Sequence, residues 1–173
     1  MRRSERDAQY REFVVARVDG LRRFGYLLTG DWHRSEDAVQ TALTKLYVVW
    51  TRASKLNTEA YVRRILVNVV NEDRRRAWFR RERVSHSLPE PPPAASAESG
   101  ALRLTVLSAL ARLPKRQRAV VVLRYWEDRS VEQTAEIMRC TTGTVKSQSA
   151  RGLQTLRGLL EGSGPRRAEG AVR

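Results

Sequence analysis

Apolar residues recur every three or four positions along nearly the whole chain, and the pattern breaks clearly once, at SHSLPEPPPAASAESG (85–100). Such spacing lines up side chains on one face of a helix, because 3.6 residues make a turn. In the first half Phe13, Val14, Val18, Leu21, Phe24 and Leu28 follow it and stop at Gly30, a residue suited to the position just past a helix end. A second run starts near Ser35 and takes in Ala38, Val39, Ala42, Leu43, Leu46, Tyr47, Val49 and Trp50. Asn57 predicts a cap, with Glu59 in the first turn of a third helix whose apolar stripe includes Tyr61, Ile65, Leu66, Val69 and Val70. Beyond the break come ALRLTVLSALARL (101–113) and LPKRQRAVVVLRYWED (113–128), the latter opened by Pro114, which the first turn of a helix tolerates. Only RAVVVLRYW (118–126) would also suit a strand. The reading is all-α: two small helical domains, 1–83 and 101–161, joined by a flexible Pro/Ser-rich linker at 84–100 and followed by a flexible tail at 162–173.

Charge narrows the function. The chain carries 33 Lys and Arg against 19 Asp and Glu, a net +14. Residues 1–83 hold 19 basic and 11 acidic side chains and residues 101–173 hold 14 and 6, so each half is +8 and the stretch between them is −2. Both halves therefore favour a polyanion, and nucleic acid is the first candidate. No run approaches the roughly 20 apolar residues of a spanning helix, and MRRSERDAQYREF lacks the apolar core of a signal peptide, so a cytoplasmic protein without membrane insertion is expected. One cysteine, Cys140, with only His33 and His86, gives neither an internal disulfide nor a metal-ligand cluster. No metal and no cofactor are expected, and Cys140 reads as a small buried hydrophobe.

The segment after Asp128 is more specific. Ser130 and Gln133 in SVEQTAEIM form a capping box, which starts a short helix at Val131 and lets it stop near Arg139. Thr141 is placed to cap the next helix after a turn of three or four residues, the connection of a helix-turn-helix. Ala135, Ile137 or Met138, Cys140 and Val145 would hold the two helices together. The second helix opens with Thr141, Thr142, Gly143 and Thr144 and continues through Lys146, Ser147, Gln148 and Arg151. Small hydroxyl residues and free N–H groups can approach phosphate, while Gln148 and Arg151 have the reach for base edges or phosphates. An isolated helix of this kind would read as a solvated basic face; behind a capped helix and a short turn it reads as a major-groove helix.

LPKRQRAVVVLRYWEDRSVEQTAEIMRCTTGTVKSQSARGLQTLR (113–157) resembles, without a gap, the promoter-reading C-terminal domain of bacterial sigma factors of the extracytoplasmic-function group. Leu113-Pro114, Gln117-Arg118, Leu123-Arg124-Tyr125, Ser130, Ala135, the run Gly143 to Ser147, Arg151 and Leu156 carry the likeness. Gln148 stands where that family usually has arginine, and Ser149 where it usually has an apolar residue. SEDAVQTALTKLYVVW (35–50) is similar to the family's polymerase-binding helix, with Thr41 and Leu43 in place of the usual glutamate and phenylalanine. The resemblance implies that Glu36, Asp37, Gln40 and Thr44 face the clamp coiled coil of RNA polymerase's largest subunit. AYVRRILVNVVNEDRRRAWFRRE (60–82) is similar to the family's minus-ten segment, which implies promoter contacts from Asn68, Arg75, Arg76, Trp78 and Arg80. Such arginines neutralise phosphates along a single strand, and Tyr61, Trp78 and Phe79 would offer rings to an unstacked base.

The resemblance implies a sigma factor that binds core RNA polymerase and directs promoter-specific initiation. On it, Thr142, Thr144, Lys146, Ser147, Gln148 and Arg151 read the minus-thirty-five element as duplex, while the first domain holds the minus-ten element as melted single strand. An anti-sigma factor is a further partner it allows. The alternative is a helix-turn-helix regulator that does not bind core polymerase, which would need neither EDAVQ nor a second basic aromatic surface. Enzymatic activity is not expected. The adjacent acidic pairs Glu36-Asp37, Glu72-Asp73 and Glu127-Asp128 point about 100° apart on a helix and do not converge on one ion.

Overall fold

The computed structural model describes residues 3–79 and 97–161, with side chains at 3–72 and 102–161; the sequence-predicted linker and tail lie mostly outside them. The described residues are helical and contain no strand. Helix α1 (Arg3–Thr29) ends at Gly30, whose φ of 76° is a left-handed value glycine adopts without strain. Helix α2 (Trp32–Val48) starts three residues before the run read from the sequence. Asp31 causes the earlier start: its backbone is extended and its carboxylate accepts from the Arg34 N–H at 3.0 Å.

α1 and α2 lie antiparallel. At one end the Ser35 hydroxyl donates to the Arg22 carbonyl at 2.7 Å, and a Cβ on Gly25 would come within 2.5 Å of the Ser35 Oγ, so glycine permits this approach. At the other end Tyr10 meets Tyr47 and Trp50 edge to face, with centroids 5.0 and 5.3 Å apart, and its hydroxyl donates to the Leu43 carbonyl. The apolar run of α2 does not continue straight into Trp50. The chain turns at Val49 (φ −105°, ψ 12°) and restarts as the short α3 (Trp50–Ala53). Asn57 accepts from the Ala60 N–H at 3.1 Å at the start of α4 (Thr58–Phe79), as its sequence position predicts.

Helix α5 (Ala97–Arg112) precedes α6 (Lys115–Val121), which passes into a π-helical turn, Val122–Trp126. The stretch that would also suit a strand is thus helical. Its apolar run has a different cause: Ala119, Val120, Val121, Val122 and Leu123 are all buried, so neighbours cover nearly every side of the helix. Helices α7 (Val131–Met138) and α8 (Thr142–Glu161) complete the chain.

The two halves share one core. Leu107, Leu110, Leu113, Val121, Val122, Leu123 and Ile137 pack with Leu21, Phe24, Leu28, Val62 and Leu66. Arg118 is buried at the junction, 2% exposed, and its Nε donates to the Leu27 carbonyl at 2.8 Å. Arg63 donates to Glu127 through Nε (2.8 Å) and Nη2 (2.6 Å) and to Glu59 through Nη1 (2.9 Å), while Arg129 reaches the same Glu59 oxygen at 2.9 Å. Two cations and two anions close on each other across 64 to 70 residues of sequence.

Glu59 records this surrounding in its acidity. Burial alone would raise its carboxyl, but the Arg129 hydrogen bond and the charges of Arg63, Arg129 and Arg17 outweigh it and hold the group below its ordinary 4.5. A carboxylate depressed in the folded state stabilises above the unfolded value, and that contribution is lost as pH falls through the lower folded value. Glu59→Gln should therefore melt below the parent protein by a constant margin from pH 8 down to about pH 5.5, and the margin should shrink as pH falls below 4.5. Thermal unfolding of both proteins across that range checks it.

Candidate nucleic-acid interface

The helix-turn-helix is built by three local devices. Ser130 and Gln133 form the capping box reciprocally: the Gln133 N–H donates to Ser130 Oγ at 3.1 Å, and the Ser130 N–H donates to the Gln133 side-chain oxygen at 2.9 Å. Arg139 then ends α7 in the left-handed conformation (φ 49°, ψ 54°), and the Cys140 N–H closes onto the Ala135 carbonyl at 3.1 Å. Thr141 starts α8, its hydroxyl accepting from the Thr144 N–H at 3.1 Å. Val120, Ala135 and Val145 form a small core under the turn, with Val131, Met138 and Cys140 against it. Cys140 packs against this cluster but is only partly buried, less than its sequence context predicts. Ile137 turns instead into the main core shared with the first half.

α8 lies tight on α6. A Cβ on Gly152 would fall 2.6 Å from a Val121 methyl and 3.5 Å from the Gln117 Cβ. That contact and buried Val145 orient the helix and leave Thr142, Lys146, Ser147 and Arg151 exposed, with Thr144 and Gln148 half-buried between them. Thr144 shares a hydrogen bond with the Thr141 hydroxyl at 2.9 Å, and the Ser147 hydroxyl donates to the Thr144 carbonyl at 3.0 Å. Both hydroxyls are thus engaged locally while their oxygens remain acceptors. Lys146 faces the start of α7, where Glu132 is held below the usual carboxylate range by its own backbone N–H, then by Ser130 and by the charge of Lys146.

Ser149 departs from the usual apolar residue, and the structure gives the reason it is tolerated. It is 7% exposed, and its hydroxyl lies 3.1 Å from the Tyr125 hydroxyl, so the polar atom is satisfied. Tyr125 in turn keeps its ring about half exposed at the end of the π-helical turn, with the Arg124 guanidinium 5.8 Å from the ring centroid. Sequence reasoning did not connect Tyr125 to α8. The signal was the unexpected serine, whose partner no local pattern identifies.

In the first half, Glu36, Asp37, Gln40 and Thr44 are all exposed on one side of α2, opposite buried Ala38, Val39, Ala42, Leu43 and Leu46. Arg22 lies 3.9 Å from Glu36, and the Thr41 and Thr44 hydroxyls bond back to the Asp37 and Gln40 carbonyls. Asn68 is exposed on α4. Tyr61 is only half-exposed, and the Arg64 guanidinium covers its ring at 4.4 Å, so this ring does not lie open to a base. The side chains of Arg75, Arg76 and Trp78, and Arg80 altogether, lie outside the described residues. Among the acidic pairs, Glu127 is bound to Arg63.

Residues 103–156 match the family description "Sigma-70, region 4". The chain is 36% identical over 154 residues to the RNA polymerase sigma-E factor of Streptomyces coelicolor, covering 86% of this chain and 84% of that protein. It is 30% identical over 152 residues to the ECF RNA polymerase sigma factor EcfG of Rhodopseudomonas palustris, covering 87% and 84%. In fold it is similar to the sigma factor RpoE of Bartonella quintana, solved with the anti-sigma factor NepR, at a TM-score of 0.69, 23% identity and coverage of 90% and 99%. CnrH, solved with the cytosolic domain of CnrY, gives 0.68 at 17% identity, covering 91% of each chain.

The Gly152 approach fixes the pose of α8, so a methyl there must displace one helix. Gly152→Ala should cost about 1–3 kcal/mol in urea unfolding. Because Val121→Ala removes the methyl at 2.6 Å, Gly152→Ala should cost much less when measured against Val121→Ala than against the parent protein.

Proposed function

This chain belongs to the extracytoplasmic-function sigma factors of bacterial RNA polymerase, and from that membership we propose how its surfaces divide the work of initiation. The protein binds core RNA polymerase and directs it to specific promoters. Residues 1–83 form the polymerase-binding and minus-ten domain, 84–100 the linker, 101–161 the minus-thirty-five domain and 162–173 a tail. On α2, Glu36, Asp37, Gln40 and Thr44 meet the polymerase clamp helices. Asn68, Arg75, Arg76, Trp78 and Arg80 hold the melted minus-ten strand through phosphate neutralisation and stacking. Thr142, Thr144, Lys146, Ser147, Gln148 and Arg151 lie in the major groove of the minus-thirty-five duplex, with Gln148 and Arg151 at base edges and Lys146 on phosphate. The polymerase performs the chemistry and this chain, which is not an enzyme, supplies recognition in the cytoplasm. An anti-sigma factor is a further partner.

The observation that carries the reading is the pose of α8. Its basic and amide side chains face away from the Val120–Ala135–Val145 core, on a helix fixed by a capped turn and by Gly152. The α2 surface supports the other half, since four polar residues stand together on the face opposite its buried stripe.

Asp37→Arg should weaken association with core polymerase about tenfold or more, roughly 1.4 kcal/mol, with unchanged helical content, and Gln40→Ala should do so more mildly. Undiminished binding of both variants would remove α2 as the contact. On the DNA side, Gln148→Ala or Arg151→Ala should cost about 1–3 kcal/mol on the preferred promoter and relax discrimination at one or two base pairs. Lys146→Ala and Arg157→Ala should weaken all sequences alike, Lys146→Ala with a reduced salt slope. Binding to single-base promoter variants at two salt concentrations separates these outcomes. Unchanged preference in both Gln148→Ala and Arg151→Ala would mean that α8 is not the reader.

A further inference from the structure

Val145, Ser149 and Gly152 recur on the buried side of α8 at positions i, i+4 and i+7. Val145 and Gly152 set how closely the helix approaches its neighbours, through the small core and the Val121 methyl, but an apolar contact sets no angle. Ser149 is the polar member of the three, and its hydroxyl lies 3.1 Å from that of Tyr125, 24 residues away. A hydrogen bond constrains angle as well as distance. Tyr125 leaves from the π-helical turn Val122–Trp126, where the Glu127 N–H donates to the Val122 carbonyl, five residues back, at 3.0 Å. Such a turn holds one residue more than an α-helical turn, which changes the direction in which its last side chains leave the helix. Here that direction brings the hydroxyl of a half-exposed tyrosine onto the buried hydroxyl of α8.

We propose that Tyr125 is a positioning residue for promoter reading: its hydroxyl, held on Ser149, fixes the roll of α8 about its own axis and so the aim of Gln148 and Arg151. The inference rests on the reading of α8 as the major-groove helix. Gln148 precedes Ser149 by one residue and Arg151 follows it by two, so the hold and the two side chains share about one turn. A side-chain tip about 6 Å from the axis moves about 1.5 Å when the helix rolls by about 15°. A hydrogen bond to a base edge is made over only a few tenths of an ångström, so a roll of that size breaks it. An apolar side chain at position 149 would fill the space and supply no such angle. When the phenol is removed, the serine hydroxyl can turn back to the carbonyl four residues earlier, as helical serines do, so the angular hold is lost without unfolding the helix.

The test measures binding of the full chain to duplexes that carry its preferred upstream element and each single-base variant of it, at two salt concentrations. Tyr125→Phe and Ser149→Ala should each lower discrimination about fivefold, at the same base pairs that Gln148→Ala or Arg151→Ala relaxes, because a misaimed contact loses part of what a base-edge pair provides. The double variant should relax discrimination no further than either single one, since both remove one hydrogen bond. The salt slope should stay that of the parent, as no phosphate contact is lost. A smaller folded fraction lowers affinity for every sequence by one factor and leaves the ratios between sequences alone, so a stability loss does not mimic this result. Uniform weakening across the panel, or unchanged preference in both Tyr125→Phe and Ser149→Ala while Gln148→Ala relaxes it, would overturn the positioning role and leave α8 as the reader. Unchanged preference in Gln148→Ala and Arg151→Ala as well would remove α8 as the reader, and the positioning role with it.

Discussion

Two guanidinium groups that water hardly reaches, those of Arg63 and Arg118, set the arrangement of the described structure. A buried cation is tolerated where its donors find acceptors, and both arginines find one in the other half of the chain. Arg118 reaches across to the Leu27 carbonyl, and Arg63 reaches across to Glu127. The apolar core that joins Leu21, Phe24 and Val62 to Leu110, Val122 and Ile137 brings the halves together without direction, and these polar reaches give the junction its register. The loop that supplies Glu127 leads straight into the capping box of α7, so the docking contact and the helix-turn-helix share one rigid piece of chain.

Much of this was legible from local pattern. The helix stripes, the Asn57 cap, the Ser130–Gln133 box and the Thr141 start all depend on residues within four positions of each other, which is the range over which sequence speaks directly. What the sequence hid was contact at long range. Nothing in local pattern marks Arg63, Arg118 and Glu127 as partners, and only folding shows them held against groups 64 to 91 residues away. Periodicity leaves Ile137 or Met138 as the contact between α7 and α8; Met138 takes that place and Ile137 enters the common core, a choice that depends on a helix far away in sequence. α2 begins ahead of its apolar run for a local reason: Asp31, following Thr29 and Gly30, caps the helix in front of it.

The candidate surfaces divide in the same way. The α2 face and the exposed positions of α8 followed from periodicity, since one polar side of an amphipathic helix is decided by its other side. The pairing of Ser149 with Tyr125 did not, although the odd serine marked the place. It lets α8 carry a hydroxyl on its buried side and keeps an aromatic ring beside that helix.

The central claim is that this single chain gives core polymerase its promoter choice. Run-off transcription with purified chain and core polymerase, on linear templates holding a promoter with both elements, tests it most directly. The account predicts transcripts of one defined length that depend on the added chain and vanish when either element is scrambled. Transcription no different from core polymerase alone, with the chain still bound to the duplex, would contradict it and leave a DNA-binding regulator in its place.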